Sequence, residues 1–260
     1  MSDVRFDFTG RHVVVTGASR GIGYGIARGF AAAGATLTVV AEGEDIADAA
    51  EALAGEFNIT CTPVTCDITD NAQIDARLRR LGPVDVLVNN AGVERVTPVS
   101  DPTGSVRDTF AWIQAVNTIG CFAVTQAILP QIPRGGSILF TSSVWGKSGE
   151  SGFAGYCASK HAIIGMVRCL APELGPRGIR VNAVCPGTVR TEASLRSVAW
   201  MAAQSGRTEE EVIEDIVAGQ CLPGMMEPPD IAGLYLFLAS GAAENITGQA
   251  FNIDRGELRA

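Results

Sequence analysis

Along the chain, blocks of apolar residues switch repeatedly between the period of a strand and that of a helix. His12-Val13-Val14-Val15-Thr16 is a short β-branched run, and the Ala-rich stretch from Ile22 to Ala33 follows it with helical spacing. Leu37 to Val40 repeats the strand signal and Asp45 to Phe57 the helical one. A strand near Ile59 to Val64, a helix from Asn71 to Arg80 and a strand from Val84 to Val88 come next. A long helical segment covers Ser105 to Leu129, followed by a strand at Ser137 to Thr141, a helix around Tyr156 to Leu174 and a strand at Ile179 to Val184. Pro229 to Ala239 and Gln249 to Ile253 form the last helix and strand. Seven strands alternating with helices predict right-handed βαβ units. The expected fold class is therefore α/β, with a doubly wound, mostly parallel seven-stranded sheet flanked by helices. Neither an interdomain linker nor a repeat of solenoid period interrupts it, so residues 1–260 read as one domain.

One stretch breaks the rhythm. Residues 188–227 contain two helical pieces, Glu192 to Gln204 and Glu209 to Ala218, the second opened by a capping box of Thr208 and Glu211. An excursion of this length in a compact domain is usually functional or disordered, and here the helical patterning with the following Cys-Leu-Pro-Gly-Met-Met run suggests an apolar lid over a site. Pro172 falls inside a helical pattern, where proline ends or kinks the helix.

Composition narrows the partners. A formal net charge of −8 disfavours nucleic acid and anionic membranes. No run of apolar residues reaches the roughly 18 needed for a membrane span. The opening segment Met1 to Asp7 lacks the basic and apolar blocks of a signal peptide, so a cytoplasmic location is expected. Seven cysteines without a CxxC pair fit reduced thiols rather than a disulfide framework.

The chemistry centres on Tyr156 and Lys160, in a chain with only three tyrosines. On a helix, positions i and i+4 share a face. A cation beside the phenol would lower its pKa from about 10 and make it an acid/base near neutral pH. Ser143 stands thirteen residues before Tyr156. After the first strand, Gly17, Ser19, Arg20, Gly21, Ile22 and Gly23 form a glycine-rich turn into a helix, a suitable seat for a pyrophosphate. Asp67 with Ile68, and Asn90-Ala91-Gly92 after Asn89, fall at C-terminal strand ends, the edge where doubly wound sheets bind ligands.

Together with Asn117 and Pro186-Gly187, these motifs resemble, in register over nearly the whole chain, the single-domain branch of the short-chain dehydrogenase/reductase family. The resemblance implies a Rossmann fold and an NAD(P)-dependent oxidoreductase that interconverts a secondary alcohol and a ketone. It gives Tyr156 the role of catalytic acid/base and Lys160 that of holding the nicotinamide ribose. Ser143 would bond the substrate oxygen, and Asn117 would position a relay water. Asp67 would meet the adenine, and Val189 with Thr191 the carboxamide. It also implies a homotetramer packed through the long helices. Two positions depart from the family pattern. Ala41 followed by Glu42 ends the second strand; a carboxylate there accepts from a ribose 2′-OH and repels a 2′-phosphate, which favours NAD, whereas Arg20 argues for NADP. Asp254-Arg255-Gly256 replaces the family's Asp-Gly-Gly.

Trp145, Glu150, Phe153 and Trp200, with Glu94, Arg95 and Met201, are the candidate pocket residues alongside Ser143 and Tyr156. Several polar groups near the site suggest a small polar substrate such as a polyol or sugar. Two alternatives stay open: a 3-oxoacyl-thioester reductase using NADPH, and a non-catalytic dinucleotide-binding protein on the same fold.

Overall fold

A computed structural model of the chain describes residues 5–259. The first four residues of the segment read for a signal peptide lie outside them. Seven strands form one sheet: β1 (His12–Thr16), β2 (Thr36–Ala41), β3 (Cys61–Thr65), β4 (Val86–Asn89), β5 (Ser137–Thr141), β6 (Arg180–Pro186) and β7 (Ala250–Ile253). Their order is β3-β2-β1-β4-β5-β6-β7, and every pairing is parallel. The order reverses between β1 and β4, which opens a crevice at the C-terminal edge. Strand interiors carry no alternation: Val13, Val14 and Val15 are all fully buried, as expected when helices cover both faces.

One layer holds α1 (Gly21–Ala32), α2 (Ile46–Phe57) and α9 (Ala232–Ala239), which close a core around Ile26, Phe30 and Tyr235. The other layer holds α3 (Asn71–Leu78), α4 (Gly104–Gln114), α5 (Cys121–Ile128) and α6 (Ala154–Leu174) around Leu87, Phe140 and Val167. The expected long helix after β4 is present, with one irregularity: residues Ala115–Gly120 wind as a π-helix between α4 and α5. By length and a mean hydropathy of 1.3, the combined segment Gly104–Gln131 could cross a membrane, unlike the expectation from apolar runs. Half of that apolar window is buried inside the protein, where the segment is part of the core layer.

Pro172 neither stops nor truncates α6, which continues to Leu174. It stands two residues before that end, and its missing N–H leaves the Arg168 carbonyl without its usual i+4 donor. The excursion after β6 folds as α7 (Glu192–Ser205) and α8 (Glu209–Ala218). Both begin with capping boxes, Thr191 with Ser194 and the expected Thr208 with Glu211. Val198, Ala202 and Val212 give the pair a small core of its own. Its return loop is fastened by the departure noted at Arg255. The Arg255 carbonyl accepts from Cys221 and Leu222, and its guanidinium donates to the Pro223 carbonyl at 2.7 Å. Arg255 adopts φ 54°, a region in which a non-glycine residue costs about 1 kcal/mol. The bonds to the return loop offset that strain.

Candidate active site

The strand-to-helix turn at Gly17 to Gly23 is held against the neighbouring strand end by Asn90. Its amide donates to the carbonyls of Thr16 at 3.1 Å and Gly17 at 3.3 Å, while its carbonyl accepts from Thr141 Oγ1 at 3.1 Å. Thr16 Oγ1 in turn accepts from the backbone N–H groups of Asn90 and Ala91, both at 3.0 Å. Asn90 thus locks three strand ends together. A Cβ on Gly17, which has φ 65°, would fall 2.7 Å from Ala91 Cα, and one on Gly23 would fall 2.0 Å from the Gly17 carbonyl oxygen. Only hydrogen fits at either place. The N-terminus of α1 therefore meets the cleft as bare backbone, the donor set that suits a pyrophosphate.

That cleft measures about 850 Å³ and runs along the C-terminal edge of the sheet. Ser19, Arg20, Gly21, Ile22, Glu42, Asp67, Ile68, Ala91, Gly92, Pro186, Gly187, Val189 and Thr191, expected from the sequence to hold a cofactor, all line it. The Asp67 carboxylate is fixed by accepting from Thr69 N and Oγ1, both at 2.8 Å. Thr191 Oγ1 caps α7 by accepting from Ser194 N at 3.1 Å, so its side chain also orients the helical excursion. Arg20 is engaged by carboxylates: Asp45 at 3.2 Å and Glu192 at 3.6 Å. Glu42, just after β2, is exposed and lines the same cleft.

Ser143, Tyr156 and Lys160 converge on the far part of the cleft. Ser143 follows β5 and caps a short 3-10 turn, its hydroxyl accepting from Trp145 N at 3.1 Å. Tyr156 and Lys160 sit one turn apart near the start of α6, and Lys160 Nζ lies 5.5 Å from the centre of the phenol ring. Nζ donates to the Thr141 carbonyl at 2.8 Å, which anchors the ammonium to the end of β5. Asn117 projects from the π-helix. Its Oδ1 accepts from Val93 N at 2.7 Å, and its Nδ2 donates to Val93 O at 2.9 Å and Ser159 Oγ at 3.0 Å. It thereby clamps the loop after β4 to α6.

Electrostatics corrects one expectation. The phenol of Tyr156 has a raised pKa, not a lowered one: burial comes first and the negative charge of Glu94 second, while the Ser143 hydroxyl acts the other way. Lys160 is lowered by burial, opposed by Cys121, Glu94 and Cys185. Removing the pair from water disfavours both charged forms, and an ammonium over the ring face rather than at the oxygen does not reverse that.

The substrate end also needs revision. Trp145 lines the cleft with Tyr156, as expected. Phe153 is fully buried and does not line it; it is wedged between Trp145 at 5.0 Å and Trp200 at 5.5 Å. Trp200 covers Gly152, where a Cβ would fall 2.4 Å from the indole. Glu150 borders a smaller neighbouring hollow instead. The face of α7 that meets the cleft carries Ser197 and Met201, one helical turn apart, and Trp200 faces the loop before α6. Trp112, Arg196, Ser197 and Glu257 are lining residues that sequence reasoning missed. Trp112 comes from α4 and Glu257 from the segment after β7, so no local spacing along the chain ties them to Arg196 and Ser197 on α7.

A glycine cradle at a helix N-terminus beside a Ser–Tyr–Lys constellation, at the switch point of a parallel sheet, defines a dinucleotide-dependent oxidoreductase. Residues 17–257 match the family described as enoyl-(acyl carrier protein) reductase. The chain is 37% identical to oxidoreductase UcpA of Salmonella typhimurium, with 95% of this chain and 94% of the relative covered. It is 36% identical to D-xylose 1-dehydrogenase of Caulobacter vibrioides, with 95% of each covered. It is 34% identical to galactitol 2-dehydrogenase of Agrobacterium fabrum, with 94% of this chain and 95% of the relative covered. A short-chain type dehydrogenase/reductase from Mycobacterium marinum superposes with a TM-score of 0.85 at 32% identity, covering 98% of each chain. The chain belongs to the short-chain dehydrogenase/reductase family, and it is an NAD(P)-dependent oxidoreductase.

Proposed function

We propose that the protein interconverts a secondary alcohol and a ketone on a small polyhydroxylated substrate, a polyol or sugar, and that NAD is its preferred cofactor. The observation that carries this reading is the convergence of Ser143, Tyr156 and Lys160 on one end of a cleft whose other end is the glycine cradle. The names of the xylose and galactitol dehydrogenases support the substrate class. The exposed Glu42 and the carboxylates already engaging Arg20 support NAD, since a 2′-phosphate would have to displace Asp45 and Glu192 from that arginine.

The cofactor fits the residues present. Gly17 to Gly23 and the α1 N-terminus would hold the pyrophosphate, Asp67 and Ile68 the adenine side, and Lys160 the ribose next to the nicotinamide. Bound there, the nicotinamide supplies or accepts a hydride. The Ser143 hydroxyl holds the substrate oxygen, and the Tyr156 phenol donates the proton in reduction or, as phenolate, takes it in oxidation. Lys160, fixed by Thr141, must supply positive charge when the phenolate forms. Asn117 keeps the loop after β4 pressed on α6 and positions a water for proton exchange with Lys160. Helices α7 and α8 act as a substrate lid, and the homotetramer packs through the long helices α4 to α6.

A relative whose name refers to a ketoacyl reductase supports a second reading, NADPH-dependent reduction of a 3-oxoacyl thioester. Initial rates with NAD and NADP against a panel of polyols, sugars and acetoacetyl thioesters decide between them. NAD-dependent oxidation of polyols is expected. A strong preference for NADPH and the thioester would replace the reading.

A further inference from the structure

Next to the proposed acid/base stands a carboxyl group that proton transfer does not use. Glu94 lies in the loop after β4, two residues beyond Gly92, where a Cβ would fall 3.4 Å from Lys160 Nζ. It lines the cleft, and its Oε1 accepts a short hydrogen bond from the Ser197 hydroxyl on α7. Among the described residues no group donates to Oε2. A carboxyl group held by one oxygen and presenting the other to a binding cleft is a hydrogen-bond acceptor awaiting a donor.

The charges around it define what that donor is. Lys160, Arg95 and Arg196 all act on Glu94, and its own charge acts on Tyr156. An ammonium group on a substrate would be repelled by these three cations, and a carboxylate or phosphate placed at Oε2 would be repelled by Glu94 itself. A neutral hydroxyl meets neither obstacle. Burial pushes the Glu94 carboxyl up, against the Ser197 bond and the cations, so the group gains from any donor that replaces lost water.

Building on the polyol reading above, we propose that Glu94 is a specificity-determining residue whose free oxygen accepts a hydrogen bond from a hydroxyl adjacent to the reacting carbinol. The enzyme then selects 1,2-diols, and Ser197 couples that selection to the position of α7. A substrate lacking the second hydroxyl leaves Oε2 dehydrated and unpaired in the closed site, which costs more than the bond itself. Selection therefore works mainly by rejecting the mono-alcohol.

The test compares kcat/KM for 2,3-butanediol and 2-butanol in wild type, Glu94→Gln, Glu94→Ala and Ser197→Ala. Both alcohols use the same phenol, so any effect of Glu94 on the Tyr156 pKa cancels in the ratio at fixed pH. Wild type should prefer the diol, and Glu94→Ala should lower the diol-to-mono-alcohol ratio about tenfold or more, as expected for a hydrogen bond to a charged group. Ser197→Ala should lower it severalfold, and the isosteric Glu94→Gln guards against misfolding. A ratio unchanged in all three variants, or a wild type that favours 2-butanol, overturns the proposal and leaves the dehydrogenase reading standing. If no alcohol, including longer polyols, shows turnover that depends on Tyr156, the reading itself fails and takes the proposal with it.

Discussion

Replacing Asn117 by Ala removes three hydrogen bonds at once: two to the backbone of Val93 and one to Ser159 Oγ. Asn117 is 1% exposed, so its partners are left facing a cavity. At roughly 0.5–1.5 kcal/mol net per bond, the loss is about 1.5–4.5 kcal/mol. The upper half of that range is expected, because the Val93 amide and carbonyl lose partners inside the protein. In a domain of this size each kcal/mol moves the melting temperature by roughly 2–4 °C, so a fall of about 6–18 °C should follow. Asn117→Asp keeps the acceptor for Val93 N–H but turns a second carboxylate oxygen on the Val93 carbonyl, and should destabilise at least as much as Asn117→Ala. Differential scanning calorimetry measures the shift, and steady-state rates measure the accompanying loss of kcat as the Gly92–Glu94 loop loosens. A drop below about 2 °C with unchanged kcat would show that the π-helical clamp does not hold the site.

Gly23→Ala should abolish cofactor binding, measured by quenching of intrinsic fluorescence with NADH, because its Cβ would overlap the Gly17 carbonyl. Glu94 has a raised pKa from burial, so the native state binds its proton more tightly than the unfolded chain. Stability from this group is therefore lost as pH rises from the ordinary Glu value of about 4.3 through the raised native value. Glu94→Gln should raise the melting temperature at pH 8 and change it little at pH 4. The same variant removes a charge that holds the Tyr156 phenol up, so the rising limb of its pH profile for alcohol oxidation should move to lower pH. Glu42→Ala should raise kcat/KM with NADP relative to NAD, measured with one alcohol at saturation.

The strands could be read from sequence because a parallel sheet covered on both faces needs unbroken β-branched runs, and β1 and β5 match their expected bounds. The glycine cradle and the Tyr156–Lys160 pair were legible for the same reason: each depends on local spacing along the chain. The π-helix around Asn117 was not, because Val116-Asn117-Thr118 looks like ordinary helix and the widened turn accompanies a contact with Val93 from another part of the fold. Nor was the phase of α7: Trp200 was an attractive pocket residue, but helical rotation aims Ser197 and Met201 at the cleft. The direction of the Tyr156 shift depends on burial by distant elements, which a four-residue spacing does not contain.

The central claim is that the Tyr156 phenol exchanges the substrate proton. Tyr156→Phe, assayed for NAD-dependent alcohol oxidation at its pH optimum with NADH binding measured in parallel, tests it most directly. Turnover should fall by about 10²–10⁴, the contribution of a positioned acid/base, while NADH still binds. Retention of a tenth or more of wild-type turnover by that variant would contradict it.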